Sequence, residues 1–346
     1  MAFFGVTMET IDKVWEHPNA NRLELASLKG LSFQFVVGKG TYQPGDNVIY
    51  FPVDSVLPKD VLIKTGFEGK LSGQGKDRVK TVRLREQISQ GLVVKPDVLL
   101  QGYEGTYASE ELTSYLGVTK YDPPVVVSTH GTLLPLPEGL GKYDIEGADR
   151  FPVMTELLLD QPVFESEKLE GTNVSVARIG GKIFVNQRNF TIEEIPGKEN
   201  LYWSVARAQN LIDKLSHFEG DVAIYGELCG AGVQSNIYHL KGTKIYAFDI
   251  KVNGRWLPPS EFLETCAKLD IPTVPVISVG RTLRETLNGA TIQSYSNGNS
   301  ILADRGIKDV MREGIVIKPL KEQFITNFGR LFIKQRSPAY LAKSDN

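Results

Sequence analysis

Phe164-Glu165-Ser166-Glu167-Lys168-Leu169-Glu170-Gly171-Thr172-Asn173-Val174-Ser175-Val176 sets one lysine between two carboxylates, Glu167 and Glu170. A glycine and a polar pair follow, and then polar and apolar residues alternate as they do in a strand. A surface turn joining two strands has this composition, with Lys168 solvated and the glutamates balancing its charge. So does a nucleophile: a Lys-x-Glu-Gly turn projects an amine into a cleft, and the glycine lets a substrate approach the backbone. So short a motif leaves both readings open, and its surroundings have to decide.

Toward the C-terminus, Lys182 to Asn189 reads as a strand ending in a polar, cationic tip at Arg188-Asn189. From Glu199 to Phe218 a helix is expected, because Leu201, Val205, Ala208, Leu211, Ile212 and Leu215 fall on one side. A second helix is expected after Pro258-Pro259-Ser260, with Ser260 as its N-cap. Four strand-like blocks accompany them. Ala223-Ile224-Tyr225-Gly226-Glu227-Leu228 places a carboxylate at the end of an apolar run, and Lys244-Ile245-Tyr246-Ala247-Phe248-Asp249-Ile250 offers a flat aromatic next to an acid. Arg312-Glu313-Gly314-Ile315-Val316-Ile317-Lys318 puts an acid and a lysine at either end of a buried strand. Leu331-Phe332-Ile333-Lys334-Gln335-Arg336 carries two cations on alternate positions, hence on one face. Each block alone looks like a plain core strand, so the information lies in their joint order.

Toward the N-terminus the chain changes character. Phe33–Val37, Asn47–Phe51 and Val79–Leu84 are strand-like, with turn signals at Gly38-Lys39-Gly40 and Pro44-Gly45-Asp46, which suggests a small barrel or sandwich. Within Lys76-Asp77-Arg78-Val79-Lys80-Thr81-Val82-Arg83-Leu84-Arg85, alternation puts Arg78 and Lys80 on one face and Arg83 and Arg85 on the other. A one-residue bulge near Thr81 would unite all four over an apolar face able to grip a phosphate backbone. A charged edge strand would look the same. Between the two regions, residues 119–150 are rich in proline and glycine and read as a connection.

Composition bounds the rest. The 346 residues suggest about two domains of ~150 residues each. No long apolar run and no charged-then-apolar leader is visible, so a cytoplasmic chain with no membrane partner is expected. Two cysteines and four histidines supply neither a disulfide framework nor zinc spacing. With a net charge of −2, any surface for a polyanion has to be local.

In this order, Lys168-x-Glu170-Gly171, Glu227, Phe248, Glu313-Gly314 and Lys334 resemble the nucleotidyltransferase motifs of the covalent lysyl-nucleotide superfamily, the polynucleotide ligases and mRNA capping enzymes. Glu167 to Asn173 and the Arg188-Asn189 tip most resemble RNA ligases. The stretch from His17 to Gly38 resembles the oligonucleotide-binding barrel of tRNA-binding domains. Lys76 to Leu92, ending Gln87-Ile88-Ser89-Gln90-Gly91-Leu92, is similar to RNA ligases of the Naegleria type, whose OB domain precedes the catalytic one. The resemblance implies an α+β chain. Residues 1–118 would form an N-terminal β-barrel of OB fold, 119–150 a linker, and 151–346 a mixed α/β nucleotidyltransferase domain of antiparallel sheets with flanking helices.

It also implies roles. Lys168 would take AMP from ATP, pass it to an RNA 5′-phosphate, and a 3′-hydroxyl would then displace it. Glu170 and Glu313 would hold a divalent metal, Mg2+ or Mn2+. This cation would favour the unprotonated amine, against the pull of neighbouring carboxylates toward the ammonium. Phe248 would stack on adenine and Glu227 would accept a ribose hydroxyl. Asn173 and Arg188 would position the nucleotide or the reacting ends, with Glu167 and Ile315 also lining the nucleotide site. Lys318, Lys334 and Arg336 would neutralise phosphate, and Arg336 stands where the family usually has lysine. Arg78, Lys80, Arg83 and Arg85 would help to hold RNA. DNA ligases and capping enzymes usually carry their OB domain after the last motif, and the ten residues beyond Arg336 are expected to leave no room for one. A non-catalytic RNA-binding protein would have to explain why the catalytic positions are filled.

Overall fold

The computed structural model describes residues 4–121, 132–303, 307, 309–326 and 329–344. Its fold is α+β, and the chain divides into two compact units. One comprises residues 4–121, 149–152 and 341–344, and the other residues 132–148 and 153–340. Among the described residues no helix is long and apolar enough to cross a membrane.

The first unit is a nearly closed antiparallel barrel. Its strands run Gln34–Gly38, Leu23–Leu28, Thr7–Glu16, Asn47–Phe51 and Leu92–Val94 in spatial order. Ile11, Ala26, Phe35, Val37, Val48 and Tyr50 fill one cluster, while Ile49, Phe51, Val61, Leu99 and Leu112 build another that takes in the helices Lys59–Thr65, Pro96–Leu99 and Ser109–Tyr115. Asn47–Phe51 is therefore buried on both sides from Val48 onward. The hairpin Val82–Leu84 and Gln87–Ser89 lies beside Gln34–Gly38, joined to it by Gln90 N–H to Gln34 O at 3.0 Å and Val36 N–H to Ser89 Oγ at 3.0 Å. The expected strand Val79–Leu84 begins only at Val82, because Arg78 forms isolated bridges to Val56 and Ser72 instead.

In the second unit the Lys168 turn joins two sheets. Pro162–Lys168 belongs to a five-stranded sheet ordered Glu146–Gly147, Ile333–Arg336, Gly314–Pro319, Pro162–Lys168, Val276–Thr282. Three residues later, Thr172–Ile179 is already in a seven-stranded antiparallel sheet with Leu133–Pro135, Phe190–Ile192, Lys182–Gln187, Val222–Gly230, Thr243–Val252 and Arg255–Trp256. One face of the larger sheet, with Val174, Val176, Ile224, Leu228 and Ile250, packs against Trp203, Leu211, Phe262 and Cys266 from helical segments. The other face carries the polar alternates Asn173 and Glu227, direct cross-strand partners.

Three expectations change here. The helix over 199–218 is broken: Leu201–Ala208 is capped by the Asn200 side chain and ends before Asn210, whose φ of 54° interrupts the spiral ahead of Leu211–Lys214. Gln209 makes the break useful, since its side chain pairs both ways with the Ile245 backbone at 2.7 and 3.0 Å. The second helix starts at Pro259 with Pro258 at the cap; Ser260 lies inside it, because a proline fits the first helical position. Finally, residues 132–148 are part of the second unit's sheets: Leu133–Pro135 pairs with Phe190–Ile192, and Glu146–Gly147 pairs in parallel with Ile333–Arg336. Of the expected linker, residues 122–131 lie outside the described residues.

Candidate active site

Register decides which side chains meet. In the five-stranded sheet Lys168 lies opposite Gly314 and Gly314 opposite Arg336; Ser166, Val316 and Lys334 form the next row, and Phe164 faces Lys318. Lys168, Lys318, Lys334 and Arg336 therefore share one face. Glu165, Glu167, Ile315, Ile317 and Gln335 alternate onto the other.

Lys168 ends its strand with a partly exposed amine that donates to Glu313 Oε1 at 2.7 Å. Glu313 precedes Gly314, where a Cβ would lie 2.1 Å from the Gln335 carbonyl, so only glycine lets these strands close beside the lysine. Gly171 is equally constrained, since a Cβ there would meet Leu228 O at 2.5 Å and Cys229 Sγ at 2.7 Å. Glu170 lies between Lys168 and that glycine. Ser235 Oγ donates to its Oε1 at 2.5 Å, while its Oε2 is buried without a partner among the described residues. Among the described residues, no three His, Cys, Asp or Glu side chains gather as a ready-made metal cluster. The orphaned Glu170 oxygen, two residues along the chain from the Lys168 that Glu313 holds, fits a hard divalent cation that keeps most of its waters, as magnesium does.

Facing this row, Glu227 and Arg188 act electrostatically on the same groups. Burial is the largest influence on Glu227 and raises its pKa to about 8; Lys168 and Arg188 pull it down, and Glu313 pushes it up. Lys334 is pulled down to about 8, first by burial and then by the cations Lys168, Arg336 and Arg188. Among the described residues its amine has no hydrogen-bond partner, so it is a cation held ready for an anion. Arg188, half-exposed, donates to Asp144. Burial alone would raise Asp144, but Arg188 outweighs it and leaves that carboxyl below its usual range.

Phe248 owes its place to a β-bulge. The register shifts between Tyr225 and Gly226, with Gly226 opposite Ala247 and Tyr225 opposite Asp249, so Phe248 is the extra residue. Ile245, Ala247 and Ile250 point into the helical core, and the bulge turns both Phe248 and Asp249 to the opposite face. There Phe248 packs on Tyr143, with ring centroids 4.8 Å apart. Asp249 accepts from Tyr143 Oη at 2.6 Å, Lys318 Nζ at 2.9 Å and Arg330 at 2.9 Å. Burial opposes its charge, yet Lys318 and Arg330 keep its pKa below the ordinary value.

Some expected members of the site are placed elsewhere. The Glu167 carboxylate is on the far side of its strand from Lys168, where Oε2 accepts from Ile301 N–H at 2.8 Å; burial raises its pKa. Ile315 is fully buried on that same far side. Both follow from the two-residue period of a strand. Lys318 is on the right face, but its ammonium is committed to Asp249 and to the Phe248 carbonyl at 2.8 Å. In the barrel unit, Arg78 is bound to Asp54 at 2.5 Å and lies 3.6 Å from the Tyr121 ring centroid. Lys80 is half-buried, while Arg83 and Arg85 are exposed at a hairpin tip. The four cations thus form no common strand face. His17 accepts from Asn19 N–H at 3.1 Å on Nδ1, so its Nε2–H donates to Leu84 O at 3.1 Å; Asn19 Nδ2 donates to Arg85 O and to Glu86 Oε2. The His17-x-Asn19 pattern pins the tip whose Arg85 and Glu86 both have positive φ.

Sequence reasoning passed over Asp144, Tyr143, Ser235, Tyr238 and Arg330. Asp144 and Tyr143 were hidden by a proline- and glycine-rich context, and the others carry no spacing signal.

Comparison with known proteins supplies the family. The RNA ligase family profile matches residues 161–336, and an OB-fold domain profile matches residues 5–96. No curated protein sequence matches the chain. Among solved structures, a mutant of Naegleria gruberi RNA ligase with AMP and Mn is similar at a TM-score of 0.81 and 27% identity, covering 99% of both chains. A mutant of the same ligase with ATP and Mn matches at 0.80 and 28%, and the ligase with PPi at 0.79 and 28%, each again covering 99% of both chains. The profile spans every motif from the Lys168 strand to Arg336, and the chain belongs to the RNA ligase family.

Proposed function

We propose that the chain is an ATP-dependent RNA ligase that joins 3′-hydroxyl and 5′-phosphate ends through a lysyl-AMP and an RNA-adenylate. The observation that carries this reading is the Lys168 amine at 2.7 Å from Glu313, on one face with Lys334 and Arg336. Lys168 Nζ attacks the α-phosphorus of ATP; the N–P bond forms, pyrophosphate leaves, and Glu313 Oε1 is within reach of the amine proton. An oxygen of the RNA 5′-phosphate then takes AMP from Lys168, and the 3′-hydroxyl displaces AMP as the strand closes.

The other residues act by position. Phe248 supplies the flat surface for adenine, steadied from behind by Tyr143. Lys334 and Arg336 take phosphate charge, and the lowered pKa of Lys334 marks a cation made costly by burial and by like charges. Lys318 is a positioning residue, bridging Asp249 and the Phe248 backbone. Asn173 and Glu227 reach the nucleotide from adjacent strands, and with a pKa near 8 the Glu227 carboxyl of the free protein carries a proton at neutral pH. Glu170 and Glu313 would hold a divalent cation, Mg2+ or Mn2+, which supplies positive charge at the α-phosphate. In the front unit, which we propose holds RNA, Arg83 and Arg85 are the contacts offered at the pinned hairpin tip.

Intact mass after incubation with ATP and Mg2+ or Mn2+ tests this directly. Wild type gains one AMP, and Lys168→Ala gains none. Sealing of a nicked duplex with RNA, but not DNA, on the 3′-hydroxyl side assigns the substrate. An adduct persisting in Lys168→Ala would sink the assignment.

A further inference from the structure

Every polar atom of Glu170 but one is held by a neighbour. Its amide N–H donates to Tyr238 Oη at 2.5 Å, its carbonyl accepts from the Cys229 thiol at 3.4 Å, and its Oε1 accepts from Ser235 Oγ at 2.5 Å. Among the described residues only Oε2 is left without a hydrogen-bond partner; it is buried, and the Tyr340 phenol stands beside the same carboxylate. Ser235 and Tyr238 come from one loop, residues 231–240, between the strands Val222–Gly230 and Thr243–Val252. Gln234, Asn236 and His239 of this loop have φ of 46°, 43° and 54°. Side-chain-bearing residues seldom adopt that conformation, and it persists where the surroundings over-determine it. Asn236 supplies part of that constraint: its Nδ2 donates to Leu240 O at 3.0 Å and its Oδ1 accepts from Leu240 N–H at 3.1 Å.

We propose that this loop is a clamp for Glu170, in which Ser235 and Tyr238 immobilise the residue so that Oε2 is presented to the divalent cation. It rests on the reading that Glu170 helps to hold that cation. A carboxylate whose other oxygen is already tied down has one orientation left to offer, and groups that orient ligands in this way change metal affinity by about 10- to 100-fold when lost. Ser235 is itself exposed, so removing its hydroxyl opens no core.

Mn2+ binding to the full chain in the presence of AMP, read by the EPR signal of free Mn2+, separates the possibilities. Self-adenylylation against Mn2+ concentration is followed in parallel. Ser235→Ala is expected to weaken Mn2+ binding about tenfold, with a matching shift in half-saturating Mn2+ larger than any change in KM for ATP. Ser235→Thr, which keeps a hydroxyl, restores both. Wild-type Mn2+ binding by Ser235→Ala, alongside weakened binding by Glu170→Gln, overturns the clamp and leaves the metal reading standing. A Ser235→Ala defect that Ser235→Thr does not restore also overturns it, because packing would then be responsible. Unchanged Mn2+ binding in Glu170→Gln overturns the metal reading itself.

Discussion

Glu227 and Lys334 both feel the charges of Lys168, Glu313 and Arg188, as a carboxyl raised to about 8 and an amine lowered to about 8, and burial is the first cause of both shifts. The folded chain therefore keeps the Glu227 proton over a range where the unfolded chain has released it. Its contribution to stability is full below 4.5, the ordinary value, and is lost as pH rises toward about 8. Lys334 runs the other way: its contribution is full above 10.5 and is lost as pH falls through about 8. Glu227→Gln removes the first effect. In thermal melts its stability relative to wild type should rise between pH 5 and pH 8, on the order of 1 kcal/mol per pH unit. A constant difference would show that Glu227 does not titrate in that window. At Gly171, alanine would push a Cβ to 2.5 Å from the Leu228 carbonyl. Gly171→Ala should lower stability by about 1–3 kcal/mol in a denaturant titration and remove most of the AMP adduct, because the turn that aims Lys168 has to shift.

At the scale of elements, one inserted residue does most to build the proposed nucleotide wall. Without the bulge, Phe248 and Asp249 would point to opposite faces; with it, the aromatic surface and the acid that organises Tyr143, Lys318 and Arg330 stand together. Phe248→Ala should raise KM for ATP about 10- to 100-fold in self-adenylylation, since base–aromatic stacking is worth about 1–3 kcal/mol. An unaltered KM would remove Phe248 from the nucleotide site. The strand blocks were legible in the sequence because alternation is local, and so were the glycines beside Lys168 and Glu313. The bulge was not, since it is a mismatch between two strands rather than a property of either. The break at Asn210 was hidden for a similar reason: the apolar spacing continues across it, and Gln209 pairs with a backbone 36 residues away.

At the scale of the whole molecule, the net charge of −2 gives no general attraction for RNA, and the exposed Arg83 and Arg85 on the front unit stand out against it. The double variant Arg83→Ala/Arg85→Ala should bind RNA more weakly. The slope of log affinity against log salt should flatten by about 1–2, as expected for losing two phosphate contacts, and self-adenylylation should persist. RNA affinity identical to wild type would return the hairpin to the status of a charged turn. Arg78 should contribute nothing to this slope, because Asp54 already neutralises it.

The sequence by itself determined the chemistry on offer: a lysine in a Lys-x-Glu-Gly turn, the acids and the aromatic at their places in the order, two paired cations near the end, and a barrel ahead of them. Those are properties of short segments, set by covalent neighbours and by the alternation of a strand. Only the tertiary structure decided which groups meet. Lys168 and Glu313 are 145 residues apart, and their contact depends on strand register. Register likewise sends Glu167 and Ile315 to the far face, commits Lys318 to a buried acid, and draws Tyr143 and Asp144 into the site from a segment that reads as a connection. Pairing between distant strands is an energy of the assembled sheet, and no stretch of chain carries it alone.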